Sequence, residues 1–264
     1  MDLGLEGKVV GITGGSTGIG EAAALAFARE GAKVAVCGRS EKKLHTIQEH
    51  FEQEGFSLYT EALDVGDLPQ LERFSQHVSE HYGRLDIWIN NAGVNNRKWP
   101  EDYTPEEFDQ LVQVNMKAVF FGTHYAAAQM RKNEGGVIIN TSSFTALIPT
   151  VNVALYSATK AAVSNMTQSF AVALAPDHIR VNAVIPGMTV TPLTEKNIGK
   201  NKEQMLTSIA MRRFATPEDL AGAYLFLASE KAAGYISGVN LPVAGAKFCA
   251  QDAQWGWKHR DGLV

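Results

Sequence analysis

Val9-Val10-Gly11-Ile12-Thr13-Gly14-Gly15-Ser16-Thr17-Gly18-Ile19-Gly20 is the stretch on which the fold turns. Val9 to Thr13 is short, apolar and β-branched, the pattern of a buried strand. Ile19 to Glu30 is Ala-rich and helical in spacing. Between them the glycines let the backbone turn tightly and approach a pyrophosphate. The helix that opens there offers free N–H groups and a positive dipole end to an anion. Gly14, Gly18 and Gly20 are spaced G-x-x-x-G-x-G, wider than the common G-x-G-x-x-G fingerprint. No G-K-[ST] follows, which excludes a P-loop. A glycine turn alone also serves as a plain tight turn; its place between the first strand and the first helix favours a phosphate cradle.

Outward from that stretch, short β-branched runs alternate with helical patterns. Lys33 to Cys37, Ser57 to Ala62, Ile87 to Asn90, Gly136 to Thr141, Arg180 to Val184 and Gly238 to Val243 read as further strands. Glu41 to Gln53, Leu68 to Tyr82, Pro105 to Lys132, Ala154 to Ala175 and Pro217 to Ala228 read as helices. Such alternation predicts an α/β fold, a doubly wound (Rossmann) parallel sheet of about seven strands with helices on both faces. Ligands are expected at the carboxyl ends of the strands. No linker or repeat splits residues 1–264, so one dinucleotide-binding and catalytic domain is expected. Met188 to Phe214 interrupts the rhythm and reads as a substrate lid. The tail, residues 246–264, holds Trp255 and Trp257 and shows no periodicity.

Composition narrows the partners. The 264 residues are 45% apolar and 20% charged, with 24 basic and 28 acidic residues. No basic stripe is visible, so nucleic acid is not expected as a partner. No run of about 18 apolar residues exists, and no membrane span is expected. Cys37 and Cys249 lack metal-ligand spacing and the seven histidines are scattered, so no metal site is expected. The acidic N-terminus does not read as a signal peptide, and two unpaired cysteines suit a cytoplasmic protein.

Asp64 follows the third strand and Asn90-Asn91-Ala92-Gly93 ends the fourth, so both should line the same crevice. Tyr156 and Lys160 stand four apart on one helix face. An ammonium beside a phenol favours the phenolate and should lower the tyrosine pKa. A tyrosine so poised can give a proton to a carbonyl oxygen or take one from an alcohol. Ser143, thirteen residues before Tyr156 at the end of the fifth strand, can hydrogen-bond the same oxygen. Tyr-x-x-x-Lys is common on helices, and its weight comes from its company.

With these residues together, the sequence resembles a short-chain dehydrogenase/reductase of the roughly 250-residue type. The resemblance runs from about Lys8 to Gly245 and rests on the Thr13–Gly20 turn, Asp64, Asn90–Gly93, Asn115, Ser143, Tyr156, Lys160 and Pro186-Gly187. It implies Tyr156 as general acid/base, Lys160 on the nicotinamide ribose, and Ser143 orienting the substrate oxygen. Asn115 would hold a water linking Lys160 to solvent. Gly14, Ser16, Thr17, Gly18, Ile19 and Gly20 would cradle the phosphates. Asp64 and Val65 would meet the adenine, and Asn91, Ala92 and Gly93 the adenosine ribose region. Pro186, Gly187, Thr189 and Thr191 would contact the carboxamide. Where the family often has Ile or Val, Thr189 stands, and its usual Asp-Gly-Gly near the last strand reads Ala244-Gly245-Ala246.

The second strand ends in Gly38-Arg39-Ser40. An NAD site places an acid near this strand end for the ribose hydroxyls. Gly38 offers none, while Arg39, with Ser40, can grip a 2′-phosphate, so NADP is expected with NAD as the alternative. Lys42 and Lys43 read as facing solvent. Phe144, Thr145, Val151, Asn152, Met188, Leu193 and Met205, with Val94 to Pro100, are the expected substrate wall. They suit a 3-oxoacyl thioester, a cyclic ketone, a sugar acid or a polyol. The helices at 105–132 and 154–175 are apolar around much of their circumference. Family relatives pair such helices, which implies a homotetramer, or failing that a homodimer. The expected activity is interconversion of a ketone and a secondary alcohol. The other readings are a catalytically silent dinucleotide-binding sensor or scaffold, and a lyase that reuses the Ser–Tyr pair. Spacing of Tyr156 and Lys160 disfavours an enoyl reductase.

Overall fold

Seven parallel strands form one sheet in the order β3-β2-β1-β4-β5-β6-β7. The computed structural model describes residues 2–261 and 263. The chain runs β1 Val9–Thr13, α1 Gly18–Arg29, β2 Lys33–Gly38, α2 Glu41–Gln53, β3 Leu58–Ala62, α3 Leu68–Tyr82 and β4 Ile87–Asn90. It continues α4 Pro105–Val112, α5 Ala118–Met130, β5 Gly136–Thr141, α6 Ala154–Ala173 and β6 Ile179–Pro186. It ends α7 Glu195–Leu206, α8 Pro217–Ala228, α9 Glu230–Ala233, β7 Asn240–Val243 and α10 Trp255–Arg260. After β3 the chain crosses to the far side of β1 and resumes with β4, so β1 and β4 are neighbours. That reversal opens a crevice at their carboxyl ends.

Strand side chains alternate between two cores, as a sheet covered on both faces requires. Val10, Ile12, Val34, Val36, Ile87 and Ile89 pack with Phe27 of α1, Phe51 of α2 and Leu220, Tyr224 and Leu227 of α8. Val9, Ala35, Cys37 and Trp88 pack with Phe74 of α3, Met130 of α5 and Ala171 of α6. A polar chain also crosses the second layer. Trp88 Nε1 donates to Asn90 Oδ1, Asn90 Nδ2 to Thr123 Oγ1 and Asn140 Oδ1, and Asn140 Nδ2 to Thr167 Oγ1, at 2.8–3.0 Å. It links β4, β5, α5 and α6 below the crevice.

Three features differ from the sequence reading. The long helix expected from Pro105 to Lys132 is broken by a π-helical stretch, Gln113–Lys117, between α4 and α5. Apolar spacing continues through it, so periodicity alone does not register the extra residue per turn. The Met188–Phe214 segment contains a full helix, α7, and its ends are clasped by the bridge between Thr189 and Ala215. The tail packs on that segment. Trp257 Nε1 donates to Ala210 O at 2.7 Å, Gln254 Nε2 to Ile209 O at 3.0 Å, and Phe248 stacks on Phe144.

Candidate active site

The β1–α1 turn lies against the end of β4. Gly14 holds φ +65°, and a Cβ there would stand 2.8 Å from Ala92 Cα. A Cβ on Gly20 would stand 2.3 Å from Gly14 O and 2.5 Å from Asn91 Nδ2, so Gly20 shapes the turn from behind and does not line the cleft. Thr17, the N-cap of α1, makes no side-chain capping bond. The first N–H groups of α1 therefore keep free donors at the cleft, where Ser16, Thr17, Gly18 and Ile19 line it. This cradle fits a diphosphate.

One cleft of about 610 Å³ runs along the carboxyl ends of the strands. Gly14, Arg39, Ser40, Asp64, Val65, Asn91, Ala92 and Gly93 line it towards β3, and Ser143, Tyr156, Lys160, Pro186, Gly187, Thr189 and Thr191 line it towards β6. Asn115 is fully buried outside it.

At the second end, Ser143 caps a short 3-10 turn, and its Oγ accepts from Thr145 N–H and Thr145 Oγ1 at 3.2 and 3.1 Å. Its own proton is left to donate. Lys160 is buried and its Nζ donates to Thr141 O at 2.8 Å, 5.8 Å from the Tyr156 ring centre. Burial pushes the Lys160 ammonium down to about 8. Burial also pushes the Tyr156 phenol above the ordinary range, with the Ser143 hydroxyl pulling the other way. The expectation that Lys160 lowers the phenol is therefore corrected. The ammonium is turned to the strand carbonyl, and the loss of water around the phenol outweighs it.

Two asparagines carry tasks their spacing does not reveal. Asn115 Oδ1 accepts from Val94 N–H at 2.9 Å and its Nδ2 donates to Val94 O at 2.8 Å. Its amide is thus spent on the loop after β4. Asn91 Nδ2 donates to Thr13 O and Gly14 O at 3.2 and 2.9 Å and braces the glycine turn. Thr189 Oγ1 donates to its own neighbour, Gly187 O, at 3.3 Å.

Of the expected substrate wall, Val94, Asn95, Arg97, Phe144, Thr145, Met188 and Leu193 line the cleft. Val151 and Asn152 stand outside it, and Met205 packs behind, against Met188, Ile198 and Ile209. Lys43, read as solvent-facing, is exposed yet lines the first end. It stands at the third position of α2, whose N-cap Ser40 accepts its N–H, and such side chains lean back over the N-terminus.

The model of the family described as short chain dehydrogenase matches residues 8–202. A 3-oxoacyl-[acyl-carrier-protein] reductase of Thermotoga maritima is 37% identical over 241 residues, 91% of this chain and 98% of its own. A 3alpha-hydroxysteroid dehydrogenase of Mediterraneibacter gnavus is 37% identical over 252 residues, 93% of this chain and 99% of its own. The chain belongs to the short-chain dehydrogenase family. A solved relative from Beutenbergia cavernae, described as an NAD(P)-dependent gluconate 5-dehydrogenase with bound NADP, superposes with a TM-score of 0.90 at 29% identity, covering 95% of this dehydrogenase and all of that chain.

The buried lysine gives this dehydrogenase a pH signature. A base depressed by burial releases its proton in the native state first, so the unfolded chain binds more protons between pH 8 and the ordinary lysine value. Native stability gains from Lys160 as pH rises through that window. The stability of Lys160→Met minus that of the native chain should therefore fall between pH 7 and pH 10, by about 2 kcal/mol. Urea titrations at both pH values read it; a difference that does not move with pH contradicts the assignment.

Proposed function

We propose that this enzyme interconverts a ketone and a secondary alcohol by hydride transfer, uses NADP, and employs Tyr156 as general acid/base. The observation that carries the reading is the convergence of the Ser143 and Tyr156 hydroxyls and the buried Lys160 at one end of a cleft whose other end is a free helix N-terminus and glycine turn. Nicotinamide, when bound, supplies the hydride. Ser143, its acceptor sites already filled by Thr145, donates to the substrate oxygen and orients it. In the reductive direction Tyr156 Oη gives its proton to that oxygen as the carbon is reduced; in the oxidative direction it takes the proton back. A phenol raised by burial is a reluctant donor, and Lys160, once its Nζ leaves Thr141 O for a ribose hydroxyl, would lower it.

Residues 188–214 would close over the substrate as a lid, as closing loops do. A cytoplasmic setting fits two free cysteines, Cys37 buried and Cys249 exposed. Relatives named for acyl-carrier, steroid and sugar substrates leave the same site open to 3-oxoacyl thioesters, cyclic ketones, sugar acids and polyols. The silent-scaffold reading is distinguished by turnover itself. Tyr156→Phe should lose most kcat on any good substrate while still binding reduced dinucleotide; near-normal kcat in that variant overturns the role of Tyr156.

Assembly follows from exposed apolar surface. Phe108, Met116, Phe120 and Val172, on α4, the π-helical stretch, α5 and α6, are 36–78% exposed. Phe226 and Tyr235 are exposed near the sheet edge formed by β7. Two such faces support a homotetramer, with a homodimer next. Sedimentation at micromolar concentration should show four copies together; a stable monomer overturns this.

Support for NADP lies at the end of β2. Arg39 lines the cleft and has no hydrogen-bonded or ionic partner among the described residues. Ser40 spends its lone pair on Lys43 N–H at 3.4 Å and keeps its proton for a phosphate. Lys43 lines the same end of the cleft and adds a third donor there. A charge-assisted pair should favour NADP by ~1.5–3 kcal/mol, roughly ten- to a hundredfold in affinity. A Cβ on Gly38 would lie 3.0 Å from Ser16 Oγ, a side chain free to turn away, so an acid is tolerated there. The ratio of kcat/KM with NADP to that with NAD should exceed one in the native enzyme and invert in Gly38→Asp with Arg39→Ala. A native preference for NAD, or an unmoved ratio, overturns the cofactor reading.

A further inference from the structure

Arg97 lies on the loop after β4, lines the cleft, and makes no hydrogen bond or ion pair among the described residues. Its chain neighbour Lys98, by contrast, is paired with Glu107. The loop is held on three sides. Asn115 grips Val94 through both amide atoms, Tyr103 OH donates to Asn96 O, and Lys98 N–H donates to Asn152 O at 3.1 Å. Asn152 belongs to the 3-10 turn Val151–Val153 that leads into α6, and Val153, one turn before Tyr156, also lines the cleft. The Arg97 side chain is thus presented beside the reacting end, on a backbone that does not need ordering when substrate arrives.

The charge around it is one-sided. The single acid lining the cleft is Asp64, beyond β3 at the edge of the sheet, whereas Arg97 follows β4. The cleft wall partly desolvates the guanidinium and holds its pKa below the ordinary arginine value. The residue is exposed at the mouth of the cleft, and a guanidinium there without a counter-ion is free to pair with an anion from outside the chain. Its planar fork matches a carboxylate through two parallel hydrogen bonds. Because the Arg97 loop is bonded to the turn that leads into α6, a carboxylate held there belongs to the part of the substrate on the Tyr156 side of the cleft.

We propose that Arg97 binds a carboxylate of the substrate, and that the enzyme acts on oxo and hydroxy acids, sugar acids among them. This rests on the hydride-transfer reading above and selects among its substrates. The test compares short oxo acids and sugar acids with their amides and polyols, alongside cyclic ketones and 3-oxoacyl-coenzyme A, in the native enzyme and in Arg97→Met. The native enzyme should prefer an acid over its amide by about ten- to a hundredfold in kcat/KM, carried by KM. Arg97→Met should shrink that preference to within about threefold, and Arg97→Lys should retain part of it. Reduced-dinucleotide affinity, read by fluorescence, should be equal in all three and shows that the variants fold. A native preference for amides, polyols or cyclic ketones overturns the proposal and leaves hydride transfer standing. So does an acid preference that survives Arg97→Met. Selective use of the coenzyme A ester that is lost with Arg97 also overturns it, moving the anion to a carrier phosphate. Turnover of nothing in the panel, with dinucleotide still bound, overturns the hydride-transfer reading and this inference with it.

Discussion

The contact between the glycine turn and the end of β4 is the constraint on which the site depends. Two strand ends must come close enough to form one crevice floor, and close approach buries backbone polar groups. Thr13 Oγ1 accepts the N–H groups of Asn91 and Ala92 at 3.0 and 3.1 Å, and Asn91 Nδ2 returns bonds to Thr13 O and Gly14 O. Each such group left unpaired would cost about 1–3 kcal/mol. The pairing lets Gly14 and Gly20 stand where no side chain fits, and it aims the start of α1 along the cleft. An intact turn is therefore a property of β1 and β4 jointly, not of the glycines alone.

The catalytic end has a parallel arrangement around the carboxyl end of β5. Thr141 gives its carbonyl to Lys160 and its hydroxyl to Tyr224 at 2.8 Å, while Ser142 Oγ bonds Lys160 O and Ser164 Oγ. Strand β5 and helix α6 are thereby pinned across the residues proposed to carry the chemistry. Ser143 and Tyr156 stand on separate elements, and that pinning helps to hold their hydroxyls in register. The same burial that fixes Lys160 also drives its ammonium towards neutrality. Position and proton affinity are therefore set by one environment and cannot be tuned independently.

Most strands and helices were legible because both cores impose periodicity on the chain. Val9–Thr13, Glu41–Gln53, Leu68–Tyr82, Gly136–Thr141 and Pro217–Ala228 are read to the residue. Cleft lining was legible at the strand ends, which follow from topology, but less so in the substrate wall, where Val151, Asn152 and Met205 fall outside. What escaped was whatever depends on a distant partner. The π-helical stretch is one case: Asn115 faces the Val94 backbone, a loop twenty-one residues away, and nothing in Pro105 to Lys132 marks the extra residue per turn. The direction of the Tyr156 shift is another, because burial outweighs the charge that i, i+4 spacing puts on the same helix face. Arg97 lies in an irregular loop, where no period points a side chain inward.

The departure from Asp-Gly-Gly after β7 has a structural price that the tail explains. Ala246 takes φ +60°, a region that glycine enters freely and that costs an L-residue about 1–2 kcal/mol. Arg212, near the end of the 188–214 segment, holds φ +53°. Their chain neighbours meet, since Met211 N–H donates to Gly245 O at 3.2 Å. The Arg212 and Arg260 guanidiniums cover the Trp257 ring at 4.3 and 4.2 Å, and Arg212 Nε donates to Gln254 Oε1 at 2.6 Å. Stacking of this kind offsets strain of that size. Phe248, from the same tail, lies on Phe144, which itself lines the cleft and packs with Met188 and Ile198 of the 188–214 segment. The 188–214 segment, the tail and the cleft wall thus share side chains, so any displacement of residues 188–214 must either carry the tail with it or break the Trp257 and Gln254 contacts.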